Sequence, residues 1–266
     1  MKYPSPRELL ARHGLRPKKS WGQNFLVDDR VYDSLVAAVG VGPGETVVEI
    51  GAGLGTLTAR LAATGARVVA IERDRDMAAV LRAELPAVEL REENALHLEL
   101  GPIAERARGP VAVIGNLPYQ IGSPIVLRTL AQHRFLKRLV VMLQREVAER
   151  MVAKADTEAY GALSVLCQIF AKADIIRKVP ASAFVPPPRV ESAIVRLTPD
   201  VPGNDVLPDV ERFRRVVDAA FQMRRKTLRN ALAKLVDAAA FARAEIDPGR
   251  RGETLTVAEF ARLARS

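Results

Sequence analysis

Cysteine occurs once in these 266 residues, at Cys167, and histidine three times, at His13, His97 and His133. One thiol excludes an internal disulfide, and it excludes metal sites built from cysteine clusters. Histidines this far apart give no metal-ligand spacing, so no metal is expected. Aromatic residues make up only 5% of the chain. Each aromatic in a polar setting is therefore a candidate for contact with a ligand. No run approaches the roughly 18 uncharged apolar residues of a membrane span. The N-terminal stretch M-K-Y-P-S-P-R-E-L-L lacks the apolar core of a signal peptide. These absences give the cytoplasm as the expected compartment.

Positive charge is plentiful. Lysine and arginine number 40 against 31 acidic residues, a net charge of +9, with a pI of about 10.0. Such a balance points to a polyanion such as nucleic acid, or to an anionic membrane surface. Hydrophobic residues reach 48%, enough for a substantial core. The length suits one large domain, or one domain with an appendage.

Strand and helix patterns alternate over the first half. Ser5-Pro6-Arg7-Glu8 reads as a capping box that starts a short helix ending at Gly14. Arg16 to Leu26 is a basic loop interleaved with Trp21 and Phe25. Asp28 can cap a helix carrying Val31, Leu35 and Val39. Apolar β-branched runs follow at Thr46–Ile50, Arg67–Ile71, Val88–Leu90, Val111–Gly115 and Leu139–Leu143, with helical segments between them. That alternation implies a mostly parallel sheet with helices on both faces. Helices are expected over 145–154 and 162–171, and a strand over 174–179. The segment from Thr198 to Pro208 has the composition of a linker. Beyond it only helical patterns and a basic cluster remain, which gives domains of 1–200 and 201–266.

Two stretches carry chemistry. E-I-G-A-G-L-G-T joins a strand to a helix, with glycines that permit tight turning and close approach to a ligand. Glu72 ends the next strand, where a carboxylate can accept from both hydroxyls of a ribose. S-adenosylmethionine, NAD or no ligand at all would each suit the glycines. The second stretch is Asn116-Leu117-Pro118-Tyr119, released at the end of a buried strand. Its carboxamide oxygen, stiffened backbone and flat ring suit a planar group bearing an NH2, such as adenine. Acceptors at the Asn116 side chain and the Leu117 carbonyl could hold such an amine in line with a methyl sulfonium. Positioning would then provide most of the catalysis. Hydride transfer to or from NAD would want a proton-transfer residue, and neither Asn116 nor Tyr119 is an obvious one.

G-Q-N-F-L, E-I-G-A-G-L-G, I-E-R-D, N-L-P-Y, F-x-P-P-P-x-V-x-S and M-R-R-K-T-L-R-N together resemble the ribosomal RNA adenine N6,N6-dimethyltransferase family (KsgA type). The resemblance runs in one order from about Lys18 to the C-terminus. It implies a class I S-adenosylmethionine-dependent methyltransferase domain, Rossmann-like, with a small all-helical C-terminal domain. It implies dimethylation of two adjacent adenosines near the 3′ end of small-subunit rRNA during 30S assembly, by a monomer. Carried over by motif, the cofactor residues are Asn24, Leu26, Gly51, Gly53, Glu72, Asn94 and Asn116. Asn94 departs from the family, which usually has aspartate there. An asparagine carbonyl still accepts from the cofactor's adenine amine, so cofactor affinity should be weaker or unchanged and activity retained. Asn116, Leu117, Pro118, Tyr119 and Phe184 are implied at the target adenine, which must leave its stack to reach them. The tyrosine and phenylalanine rings would supply its stacking faces. Lys18, Lys19, Arg224, Arg225, Lys226 and Arg229 are implied RNA contacts, the last four on one helical segment with Asn230.

Three rivals stay open. A large-subunit rRNA adenine dimethyltransferase would share the glycine turn and the tetrad but not the M-R-R-K-T-L-R-N segment. An RNA-binding assembly or transcription factor could have kept the fold without catalysis, although the intact tetrad and Glu72 argue otherwise. An NAD-dependent oxidoreductase comes third.

Overall fold

The computed structural model describes residues 3–18, 22–199, 209–223 and 226–266. The chain divides into two compact units, Met1–Ala148 with Asp174–Pro199, and Glu149–Ala173 with Asp200–Ser266.

In the first unit, helix α1 (Pro6–Arg12) starts with the expected capping box: Ser5 N donates to Glu8 Oε2 at 2.7 Å and Glu8 N to Ser5 Oγ at 3.4 Å. Strand β1 (Phe25–Leu26) precedes helix α2 (Asp29–Val39), which Asp28 caps and Gly40 ends in a left-handed conformation. Next come β2 (Thr46–Ile50), α3 (Thr56–Ala62), β3 (Arg67–Ile71), α4 (Arg75–Glu84) and β4 (Glu89–Arg91). After them lie α5 (Gly101–Ala107), β5 (Val111–Asn116), α6 (Gly122–Leu130) and β6 (Leu136–Gln144). Helix α7 (Arg145–Val152) leads out to α8 (Ala162–Gln168). The chain returns through β7 (Lys172–Val179), β8 (Phe184–Val185) and β9 (Ser192–Thr198).

Seven strands form one sheet in the order β4-β3-β2-β5-β6-β9-β7. β4 through β6 are parallel, and β9 runs antiparallel to β6. A parallel sheet is covered on both faces, so its central strands read as continuous apolar runs. β5 obeys this, with Val111 to Ile114 at most 1% exposed. Val47, Ile114, Val140 and Ile194 join Leu35 and Val39 of α2 in one core cluster. Because β2, β3 and β5 lie side by side, the glycine turn, Glu72 and the tetrad emerge at one edge of the sheet.

The second unit is helical: α9 (Val210–Gln222), α10 (Leu228–Ala231), α11 (Ala238–Ala244) and α12 (Val257–Arg265), together with α8. A single division at residue 200 does not describe the two units, because residues 149–173 pack with the C-terminal helices. Tyr160 is the reason. It is 4% exposed, its ring meets Phe221 edge-on at a centroid distance of 5.9 Å, and its hydroxyl donates to Leu255 O at 2.8 Å.

Nor do Lys226 and Arg229 share one helix. α9 ends at Gln222 and α10 begins at Leu228 after an extended Thr227. The buried Leu228 draws its backbone N–H to Arg250 O at 2.8 Å, which redirects the chain there.

Candidate functional site

One cavity in the first unit gathers most of the residues singled out from the sequence. Its wall includes Gln23, Asn24 and Leu26 from the first loop, Glu49 of β2, Gly51 and Gly53 of the glycine turn, Glu72 after β3, Asn116 to Tyr119 after β5, and Phe184 of β8.

The glycine turn works by backbone. Gly53 has φ +53°, a left-handed conformation that side chains other than glycine adopt at a cost. It brings the Gly53 N–H to Glu72 Oε2 at 2.8 Å, while Asp74 N donates to Oε1 at 2.7 Å. Burial raises the Glu72 carboxyl above its usual range, and these N–H groups oppose the rise. The carboxylate is thus fixed in orientation at the cavity wall, with lone pairs left for a ligand diol.

The tetrad is anchored on both sides. Leu117 N donates to Met142 O of β6 at 3.0 Å. Asn116 Nδ2 donates to Asn24 O at 3.4 Å, which leaves Oδ1 as the accepting end of the carboxamide. Tyr119 is half-buried, and its hydroxyl lies 2.7 Å from Ser192 Oγ. Burial raises the phenol above its ordinary value, with the Ser192 hydrogen bond pulling the other way. Phe184 is only 2% exposed and belongs to the same core cluster as Leu35 and Ile114. It walls the cavity, but less of its ring is open than that of Tyr119. A two-residue antiparallel pairing, Phe25 with Val185 and Leu26 with Phe184, brings the two motif loops together.

Lys18 sits elsewhere than at a free surface. Its ammonium lies 2.7 Å from Asp74 Oδ1 and 2.7 Å from Asp76 Oδ2. Gln23 Nε2 donates to Asp74 Oδ2 at 2.8 Å and Gln23 Oε1 accepts from Lys18 N at 2.9 Å. Burial pushes Asp74 up, but these partners and the N–H of Asp76 bring it below its ordinary value. The first loop is therefore tied to the start of α4 by the aspartate of I-E-R-D. A phosphate would have to compete with two carboxylates for this lysine. Asn94 is not in the cavity wall. Its Oδ1 instead accepts from Leu96 N at 3.1 Å, capping a 3-10 turn over Ala95–His97. Lys226 and Arg229 are exposed in the second unit. Lys19, Trp21, Arg224 and Arg225 lie outside the described residues.

Asp74 and Ser192 are functional candidates that pattern reading passes over. Asp74 ends I-E-R-D and Ser192 ends F-x-P-P-P-x-V-x-S, but each has a sufficient local explanation, as a helix cap and as a strand start.

The wall decides what charge of ligand fits. It holds Glu49 and Glu72, and among the described residues no lysine, arginine or histidine lines it. A pyrophosphate, as in NAD, would meet the Glu72 carboxylate and a second acidic side chain, with no cation among the described wall residues to answer it. A cation with a ribose diol is matched by them, so S-adenosylmethionine fits this cavity. Among the described residues no group of histidine, cysteine and acidic side chains could hold a metal ion. No helix among them is long and apolar enough to cross a membrane.

Comparison with known proteins gives the same direction. The family profile described as ribosomal RNA adenine dimethylase matches residues 14–266. Ribosomal RNA small subunit methyltransferase A of Anaeromyxobacter dehalogenans (strain 2CP-C) is 51% identical over 280 aligned positions, covering 100% of this chain and 98% of that protein. Among solved structures, a dimethyladenosine transferase from Plasmodium falciparum superposes with a TM-score of 0.75 at 24% identity, covering 90% of this chain and 95% of that one. The 23S rRNA methyltransferase ErmE gives 0.68 at 25% identity, covering 91% and 98%. With profile, relatives and fold in agreement, the chain belongs to the ribosomal RNA adenine dimethylase family, enzymes that use S-adenosylmethionine.

Proposed function

We propose that this enzyme dimethylates the N6 amines of two adjacent adenosines near the 3′ end of small-subunit (16S) rRNA, on the assembling 30S subunit. The observation that carries the reading is the Asn116 carboxamide, tied through Nδ2 to Asn24 O so that Oδ1 is left to accept. S-adenosylmethionine supplies an electrophilic methyl group together with its own leaving group. Glu72 and the Gly51–Gly53 backbone would hold it, with Asn24 and Leu26 closing over it. Asn116 Oδ1 and the Leu117 carbonyl accept from the two N–H groups of the target amine. They hold its nitrogen pyramidal, with the lone pair turned out of the ring. Tyr119 offers a stacking face worth about 1–3 kcal/mol, and Phe184 bounds the far side. No strong base is needed, since the product sheds its proton to water once the new N–C bond has made it acidic.

Small-subunit rRNA is favoured over large-subunit rRNA by the 51% identity along the whole chain to a protein named for the small subunit. The exposed Lys226 and Arg229, with the net charge of +9, support phosphate contacts in the second unit. Lys19, Arg224 and Arg225 belong to the same reading by motif, and Asn94 by position. The setting the resemblance carries is a monomer in the cytoplasm.

Mass-spectrometric mapping of methylated nucleotides after incubation with unmodified 30S subunits tests the proposal. Dimethyladenosine at two neighbouring positions near the 3′ end of 16S rRNA is the expected result. Modification of 23S rRNA alone would transfer the enzyme to the other branch. Binding without methyl transfer would reduce it to an assembly factor.

A further inference from the structure

Glu49 is a second carboxyl group in the cavity wall. It is the fourth residue of β2 and is 2% exposed. Its Oε2 is buried with no hydrogen-bond partner. Among the described residues no lysine, arginine or histidine pairs with it. The groups that bear on it from the neighbouring elements are Glu72 at the end of β3, Thr58 of α3, and the tyrosines Tyr3 and Tyr32, whose hydroxyls donate to Leu54 O and Leu26 O. None of these is a cation. Two carboxyl groups that share a low-dielectric wall cannot both ionise cheaply. Glu72 holds two backbone N–H donors and takes the charge. Glu49 lacks such donors, and burial raises its carboxyl to about 8, with Thr58 opposing and the Glu72 charge adding to the rise. A buried carboxylate with an orphan oxygen is costly in the free protein. The same oxygen becomes an asset once a cation occupies the cavity.

We propose that Glu49 is a proton-linked counter-charge of the cofactor site: it is a neutral acid in the free protein and ionises as the cationic cofactor enters, so that binding expels a proton. This rests on the reading of the cavity as the S-adenosylmethionine site. S-adenosylmethionine carries a sulfonium and an ammonium against one carboxylate, a net single positive charge. The Glu49 proton passes to buffer and the carboxylate stays, so the net charge of the cavity is the same before and after binding, while the wall offers two carboxylates to the cofactor's two cationic groups. No covalent bond to the cofactor changes. Affinity then depends on pH: below the free-protein titration of Glu49, the dissociation constant falls about tenfold per unit rise in pH.

Isothermal titration of S-adenosylmethionine into wild type and Glu49→Gln, in buffers of differing ionisation enthalpy at pH 7, measures the protons exchanged. Any proton taken up by the cofactor's own amine is common to both proteins and cancels in the difference. Wild type should release close to one proton more than Glu49→Gln, and affinity in the variant should be nearly flat between pH 6 and 8. Equal proton numbers in the two proteins overturn the inference while the cofactor site stands. No binding to wild type overturns the cofactor reading itself. If Glu49→Gln does not fold, the infrared difference spectrum of wild type decides. A carboxylic-acid C=O band lost on cofactor addition supports the proposal, and a spectrum without it overturns the proposal.

Discussion

The hydroxyl of Tyr119 lies 2.7 Å from that of Ser192, so the last serine of F-x-P-P-P-x-V-x-S holds the last ring of N-L-P-Y. Ser192 is fully buried at the start of β9, paired with Gln144 of β6. The sheet therefore sets the tilt of the ring. Ser192→Ala should slow methyl transfer about fivefold, the loss of one hydrogen bond of about 1 kcal/mol, with cofactor affinity unchanged. Tyr119→Phe should give a similar loss. Single-turnover rates of the double variant should show no further loss, and additive losses would mean that the two residues act separately. Tyr119→Ala should cost more than either, since the stacking face goes with it.

Lys18 distinguishes a latch from a phosphate contact. Its ion pairs with Asp74 and Asp76 tie the first loop to α4. Lys18→Ala should raise the cofactor dissociation constant about threefold to tenfold, in keeping with a partly exposed ion pair of about 1 kcal/mol. The salt slope of RNA binding should stay the same. A slope smaller by about one unit, with cofactor affinity intact, would return this lysine to the RNA surface.

At Gly115 β5 lies close against the end of β2. A Cβ there would meet Ile50 O at 2.6 Å and Leu117 Cδ2 at 2.9 Å. Backbone cannot yield as a flexible side chain can. Gly115→Ala should cost about 1–3 kcal/mol of stability, read by denaturant unfolding, and should weaken catalysis by displacing the tetrad.

The second unit has an acid-sensitive pair. Arg250 donates to Glu259 and also to Thr254 O. It lowers the Glu259 carboxyl to about 2, against roughly 4.3 in an unfolded chain. A depressed carboxylate adds stability above its unfolded value and loses it as pH falls through the window from about 4 to about 2. Melting temperatures between pH 5 and pH 2.5 should drop further for wild type than for Glu259→Gln. The difference is on the order of 1 kcal/mol, because water reaches the rim of the pair.

Asn94→Asp keeps the cap on the Ala95–His97 turn, since either side chain accepts from Leu96 N. If this residue also meets the cofactor's adenine amine, the charged acceptor should raise cofactor affinity by a few fold. Calorimetric titration showing a loss would remove Asn94 from the site.

Much of this arrangement was legible because the cofactor half is built from local sequence. Glycine spacing, the strand before it and Glu72 after the next strand specify one another along the chain, and Asp28 and Asp74 cap helices as their positions imply. Long-range features were not legible. Two-residue strands such as Phe25–Leu26 and Phe184–Val185 have no period to read. The basic segment reads as one helix because charge carries no register, whereas an extended Thr227 separates Lys226 from Arg229. Lys18 looked like a phosphate ligand because its two aspartates are more than fifty positions away. Glu49 stands inside E-I-G-A-G-L-G with nothing local to mark it, since only three-dimensional packing reveals that its oxygen has no partner.

The excursion of residues 149–173 into the helical unit bears on how this protein can be dissected. A chain cut at residue 200 would keep Tyr160 and Leu163 while discarding Phe221, Leu255 and Phe260, leaving an apolar hairpin bare and prone to aggregate. Exchange of the helical unit between relatives is likewise not a matter of grafting a tail. Two separate stretches of sequence would have to travel together, so recombination at a single crossover would split a core that needs both.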